Sequence, residues 1–240
     1  MKPFFCLIFF CMLPLTSAFS QAAPFVPDRP GFGTATHTLS PGEIYLELGY
    51  EHRFTSKSGM PGFHQIPLTN IRFGLKPGFE INVMWDGFDA SDGLEHSGSF
   101  ALGTKIRAFT SDDFNISLLG LIGLSDMADD LKINPLFGLL WDYGLSEKLE
   151  AFGVVQLGYE KGRDVVAEWS LGLGMPLTGK IEVYGEYYIE YASGTKDLTH
   201  HADFGMMYRL TKNIQFDVYL AGGLGSGAYR HTGFGFSKRF

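Results

Sequence analysis

Cysteine is almost missing from this chain: Cys6 and Cys11 are its only two. Both fall in a stretch that reads as removed on export, so the remainder has no thiol, no disulfide and no cysteine metal site. An exported domain without disulfides must hold together by packing or by a sheet closed on itself. Charge is also scarce, at 19% of residues, and 19 basic residues face 26 acidic ones for a formal net charge of −7. Nucleic-acid binding works through clustered positive charge, so that class of function is excluded. Beyond the first 23 residues no apolar run approaches the length of about 20 that a helix needs to cross a bilayer.

What is present starts with Lys2, an apolar run from Phe4 to Leu15, and small or polar residues through Ala23. Residues 1–22 read as a secretory signal peptide, with Ser20 and Ala22 at the small-residue positions and cleavage after Ala18 as the alternative. The apolar run is too short for an anchor and no charged stop-transfer cluster follows it. Cys11 follows Phe9 and Phe10, where a lipoprotein would need a small residue. Residues 23–41 are proline-rich and read as a periplasmic lead-in, of which a linker is the simpler form and a plug entering a lumen the other.

From Gly42 to Phe240 the pattern is alternation, the period of a strand with two unlike faces. Ile44, Leu46, Leu48 and Tyr50 interleave with Tyr45, Glu47, Gly49 and Glu51. Phe79, Ile81, Val83 and Trp85 interleave with Glu80, Asn82, Met84 and Asp86. The stretch from Phe114 to Leu124 is apolar at both phases and its facing is open. A turn motif recurs at anchors Leu75, Phe109, Leu145, Leu177 and Leu210, every 32 to 36 residues. That interval equals two strands of about ten residues with one tight turn and one longer loop, the hairpin unit of a membrane barrel. Five tight turns and six longer connections link twelve strands.

A soluble sandwich also alternates, but its strands average about five or six residues. Here the segments are about ten long, aromatic residues recur near their ends, and the second face carries charge and glycine. Backbone groups in lipid have no water to bond, so such a sheet must close. The expected fold is all-β: a closed antiparallel up-and-down transmembrane β-barrel of about 12 strands in a Gram-negative outer membrane. The last strand, Arg230 to Phe240, ends in an aromatic residue. It resembles the carboxy-terminal signal by which the barrel-assembly machinery recognises its substrates.

Pro27-Asp28-Arg29-Pro30, then Ser40-Pro41-Gly42-Glu43 and Leu46-Glu47-Leu48-Gly49-Tyr50, form a leading motif. With the Gly-Leu-x-x-x-Leu-Glu turns and the ending Gly-Phe-Gly-Phe-Ser-Lys-Arg-Phe, the chain resembles the outer-membrane transporter family assigned to the meta-pathway of phenol degradation. The resemblance covers nearly all of the mature chain. It implies passage of small, hydrophobic or aromatic molecules, and it carries no catalytic residues and no cofactor. The short outer connections depart from the family pattern.

The inward phase sorts the charges into a lumenal basic wall of Arg53, Arg72, Lys105 and Arg107 and an acidic wall of Glu150, Glu160, Glu168, Glu182, Glu186 and Glu190. Facing walls would set a transverse field favouring small polar solutes, while ion pairing across a narrow barrel would instead close it. Arg29 is expected to pair with a lumenal glutamate. His200 and His201 point to opposite faces of one strand, so no metal site is expected. A hydrolase would need Ser193, His200 and Asp197 or Asp203 to converge, with no motif to enforce it. The reading is a channel for an unidentified small solute among outer-membrane lipids, with a closed structural barrel and a lipid hydrolase as alternatives.

Overall fold

The computed structural model describes residues 24–54, 62–91, 94–125, 131–161, 163–224 and 230–240. The signal segment 1–22 lies outside the described residues, as do stretches 55–61, 92–93, 126–130, 162 and 225–229 of the expected outer connections. The strands are β1 (Ile44–Phe54), β2 (Phe63–Lys76), β3 (Phe79–Trp85), β4 (Phe88–Ser91), β5 (Leu94–Ser97), β6 (Phe100–Thr110) and β7 (Phe114–Ser125). They continue with β8 (Lys132–Ser146), β9 (Leu149–Glu160), β10 (Asp164–Pro176), β11 (Ile181–Ala192), β12 (Asp197–Thr211), β13 (Ile214–Gly223) and β14 (Arg230–Arg239).

Every neighbouring pair in the wall is antiparallel, and β1 pairs with both β2 and β14, so the sheet closes. Twelve strands form the ring. β4 and β5 make a short hairpin above it, with Gln65 and Ile66 of β2 paired to Asp89 and Phe88. One of the six longer connections expected from the sequence, Gly87–Ser97, thus carries a strand pair of its own. The chain bends at Gly87 (φ 73°), a left-handed position that suits glycine, and Gly98 N donates to Gly87 O at 2.6 Å. Five tight turns gather at the opposite end. Both chain ends of the barrel lie there too, with Phe240 N donating to Ile44 O at 2.9 Å.

The two phases of each strand have opposite fates. Leu157 (56% exposed), Phe137 (57%) and Phe204 (63%) stand on the outside. Tyr45, Glu47, Arg72 and Lys105, at 1% or less, are buried within the lumen. A soluble protein would reverse this; an apolar exterior around a polar interior is the arrangement that hydrocarbon selects. Tyr143, Tyr159, Tyr191 and Phe240 are exposed near strand ends, where rings meet the headgroup boundary. The open phase of β7 is resolved: Leu119 turns inward and Ile122 outward.

Residues 24–41 lie inside the barrel rather than trailing from it. From the turn end, where Gly42 N donates to Gly74 O at 2.9 Å, the segment rises past Leu39 to a tip at Gly31–Phe32. It then returns toward the turn end, placing Phe25 against the ring of Tyr45 at 5.0 Å.

Charge at mid-wall should therefore be costly only on the outer phase. Val155→Arg, in the middle of β9, is expected to lose about 2–4 kcal/mol in vesicle unfolding titrations, and Leu198→Arg at the loop end about 0–1 kcal/mol.

Candidate functional site

The lumen is organised around one guanidinium. Arg72 on β2 uses all five of its N–H donors while fully buried. Nε and Nη2 hold the two oxygens of Glu80 at 2.9 and 3.0 Å, a bidentate pair. Nη1 donates to Glu47 Oε1 (3.2 Å) and Val26 O (3.1 Å), and Nη2 also reaches His37 O at 2.9 Å. Asp28 Oδ1 lies 3.2 Å from Nη1 and 2.7 Å from Lys105 Nζ, and Lys105 is 3.4 Å from Glu80. Four strands, β1, β2, β3 and β6, thus supply a charged socket, and Asp28 with two backbone carbonyls fills it.

Further contacts hold the rest of the segment. Arg107 donates to Thr38 O at 3.3 Å, Leu39 N to Glu80 Oε2 at 2.9 Å, and Ser117 Oγ to Thr36 O at 2.6 Å. Thr36 Oγ1 also bonds Asp142. At the tip, Glu186 accepts from Phe32 N (3.1 Å) and Gly33 N (3.0 Å). The Phe32 ring stacks on Tyr188 at 4.3 Å, and Tyr188 stacks on His201 at 4.6 Å. Arg29 pairs with Asp217 at 3.4 Å, and its carbonyl accepts from Gln215 Nε2 at 3.3 Å. Its guanidinium lies over Gly49 and Gly235, which face each other across the β1–β14 seam. A Cβ at either position would overlap the guanidinium where it now lies, so a side chain there would displace it from the seam.

Not all of the inner wall is polar. Leu119, Leu140 and Val154 pack together on β7, β8 and β9, with Leu121, Leu136 and Phe32 against them. The tip therefore sits between a charged side and an apolar side. It separates an outer cavity of about 570 Å³, which Tyr188, Tyr219, His201 and His231 help to line, from an inner one of about 640 Å³. A third cavity of about 250 Å³ opens beside Asp28 and Phe32.

The two charged walls read from the sequence take a different form. Arg72 and Lys105 meet in the socket, neutralised by Asp28, Glu47 and Glu80 from neighbouring strands and the segment, so they present no free charge to a facing wall. Arg53 pairs with Glu51 at 2.6 Å near the outer end, and Arg107 grips Thr38. The acidic residues divide by height. Glu160 and Glu190 hold Arg163, and Glu168 accepts from Gln156 at 3.0 Å, all toward the outer end. Glu186 binds the tip, and Glu150 and Glu182 line the inner cavity with Asp142. Arg29 meets an aspartate, Asp217, where a glutamate was expected.

Ser193, His200 and Asp203 do not converge. His200 bonds Tyr187 OH at 2.5 Å on the outer face, Asp203 accepts from Tyr184 OH at 3.0 Å in the lumen, and Ser193 Oγ accepts from Val165 N at 3.0 Å. The residues that sequence reasoning passed over are Asp28, Glu47, Glu80, Phe32 and the apolar stripe. Glu47 and Glu80 share the inward parity of Arg72 and could have been grouped with it. Which carboxylate meets which cation depends on strand neighbours and has no linear signal.

Comparison with solved structures finds the same fold, a closed antiparallel β-barrel, in outer-membrane channels and porins. An outer-membrane channel from Pseudomonas putida F1 superposes with a TM-score of 0.64 at 12% identity, over 88% of this chain and 99% of that one. The NanC porin gives 0.61 at 11% identity over 80% and 98%. The KdgM porin in complex with disordered oligogalacturonate gives 0.59 at 12% identity over 81% and 99%. No family model matches the chain. No curated protein matches it either.

Removing the central cation leaves three carboxylates buried against Lys105 alone, so Arg72→Met is expected to cost about 3–5 kcal/mol in unfolding titrations. Arg163→Met, at the half-exposed rim, should cost about 0–1 kcal/mol. His37 lies in the lumenal segment, where burial first, then Arg72, Arg107 and Lys105, push its pKa from 6.5 down to about 4. A released imidazole takes up its proton below about pH 6.5 and a docked one only near 4. Docking should therefore weaken as pH falls through that window. Hydrogen exchange of residues 24–41 should accelerate accordingly, and His37→Gln should flatten the dependence.

Proposed function

We propose that the protein is an outer-membrane channel for small molecules and that residues 24–41 constrict and gate its lumen. The observation that carries this reading is the placement of two cavities, above and below the tip, inside a closed barrel. A purely structural barrel has no need of them. The segment is held by polar contacts to six or more strands rather than by a continuous apolar core. Such contacts can be exchanged for water in steps, which suits a constriction that opens. The outer-membrane channels with the same architecture support the class of function.

Small hydrophobic or aromatic solutes are the favoured cargo. The apolar stripe of Leu119, Leu121, Leu136, Leu140 and Val154 stands at the height of the tip, where a polar pore would be expected to carry polar side chains. The motif likeness to transporters assigned to phenol degradation points the same way. Residues 1–22 would then direct export and be removed, and Phe240 would serve recognition by the assembly machinery. The closed-lumen reading keeps one observation in its favour, the complete use of Arg72 by the segment.

Planar-bilayer recording separates the two. The intact protein is expected to show small, brief openings, and the double variant Arg29→Ala/Glu186→Gln, which loosens the tip at both anchors, larger and longer ones. If neither protein passes current at high salt and neither swells vesicles loaded with small solutes, the channel reading fails.

A further inference from the structure

We propose that the third cavity, beside Asp28 and Phe32, is a binding site for a small organic cation: an ammonium group carried on an apolar, ring-sized body. The inference deepens the channel reading and rests on it. It starts from charge. The socket holds two cations, Arg72 and Lys105, and three carboxylates, Asp28, Glu47 and Glu80, whose side chains are all at most 8% exposed. Counted with every carboxylate ionised, one negative charge is left over. Burying it without a partner is costly, so the site favours a positive group.

The leftover charge has an address. Both oxygens of Glu80 are engaged, by Arg72 and by Leu39 N. Asp28 Oδ2 and Glu47 Oε2 are buried and have no hydrogen-bond partner in the structure, and both residues line this cavity. Asn70 Oδ1, also buried and unpartnered, lines it too. Three acceptors without a donor call for a group that only donates, as an ammonium does. Other charges nearby do not supply it. Arg29 also lines the cavity and its buried Nε has no partner, but its guanidinium lies at the β1–β14 seam beside Asp217, and Asp86 at the rim adds negative potential.

Size and lining set the rest of the ligand. Phe32, Met84, Leu119 and Leu121 form the apolar part. At about 250 Å³ the cavity exceeds the apolar cavity of about 150 Å³ that accepts benzene, leaving room for one ring and a short aminoalkyl arm. A bare metal ion would leave the apolar part unfilled, and among the described residues no group of three or more His, Cys, Asp or Glu is arranged to hold one.

Isothermal titration of the purified mature protein in detergent at pH 7.5 tests the site, with benzylammonium chloride as probe. Benzyl alcohol serves as its neutral counterpart, methylammonium as the charge without a body, and sodium chloride as competitor. Benzylammonium is expected to bind one per chain, at least tenfold tighter than benzyl alcohol or methylammonium. Glu47→Gln should weaken it at least tenfold. Leu121→Phe, which fills the apolar part and leaves every charge in place, should do the same. Should Glu47→Gln lose the heat-modifiable mobility of a folded barrel, Leu121→Phe decides the matter. Equal affinity for the alcohol, unchanged affinity in a folded variant, or one-for-one displacement by sodium would overturn the proposal. Binding in detergent requires no passage, so a missing site with normal bilayer openings sinks this inference alone, and bound ligand with no current sinks the channel reading.

Discussion

A strand facing hydrocarbon finds no water for its N–H and C=O groups, and each group left unpaired there costs several kcal/mol. Everything else about this molecule follows from that constraint. The sheet has to close, and it does so where β1 meets β14. Closure creates an inside, and the alternation that places Leu, Val and Phe against lipid delivers charged and small residues to that inside. The lumen is thus a by-product of satisfying the backbone, and its contents are whatever the second phase of each strand encodes.

Those contents set a second problem, because charge within a narrow barrel is poorly hydrated. The solution is local neutralisation in place of two opposed walls. Arg72 and Lys105 are met by carboxylates on adjacent strands and by Asp28 from the segment that fills the lumen. The segment's backbone carbonyls complete the donor set of Arg72, so the barrel and its filling are mutually dependent. Burial first, and then the nearby Arg72, Arg107 and Lys105, push the His37 pKa down in the lumen. A guanidinium is the only side chain with five donors in a fixed plane, and lysine at position 72 could not reproduce the socket.

The tip is held differently. It has a carboxylate cap at Glu186, an aromatic stack on Tyr188, and an arginine laid along the seam of the barrel over two facing glycines. None of these contacts matches the bidentate Arg72–Glu80 pair on which the socket is built. The anchored base and the lighter tip give the segment a firm end and a releasable end, which is the mechanical basis for reading it as a constriction.

Much of the architecture was legible before any coordinates. Strand number, the even count, the turn end and the outward residues follow from a period of two and from the recurrence of turns, both local properties of the chain. The hairpin of β4 and β5 was missed because Gly87 and Gly98 look like loop residues, and only pairing with β2 makes them a bend in a continued ladder. The candidate charges read as two walls from the sequence, and in the structure Arg72 and Lys105 meet Asp28, Glu47 and Glu80. Parity places Glu47, Arg72 and Glu80 on one face, yet their meeting depends on which strands are neighbours in the ring. Residues 24–41 have no period at all, and their path through the lumen is decided by acceptors and donors on nine strands at once. Sequence determined which side of the wall each residue would face, because facing is set by the chain's own geometry. Tertiary structure alone decided that Asp28 and the backbone of residues 24–41 would join those charges, because that requires a closed ring for the segment to enter.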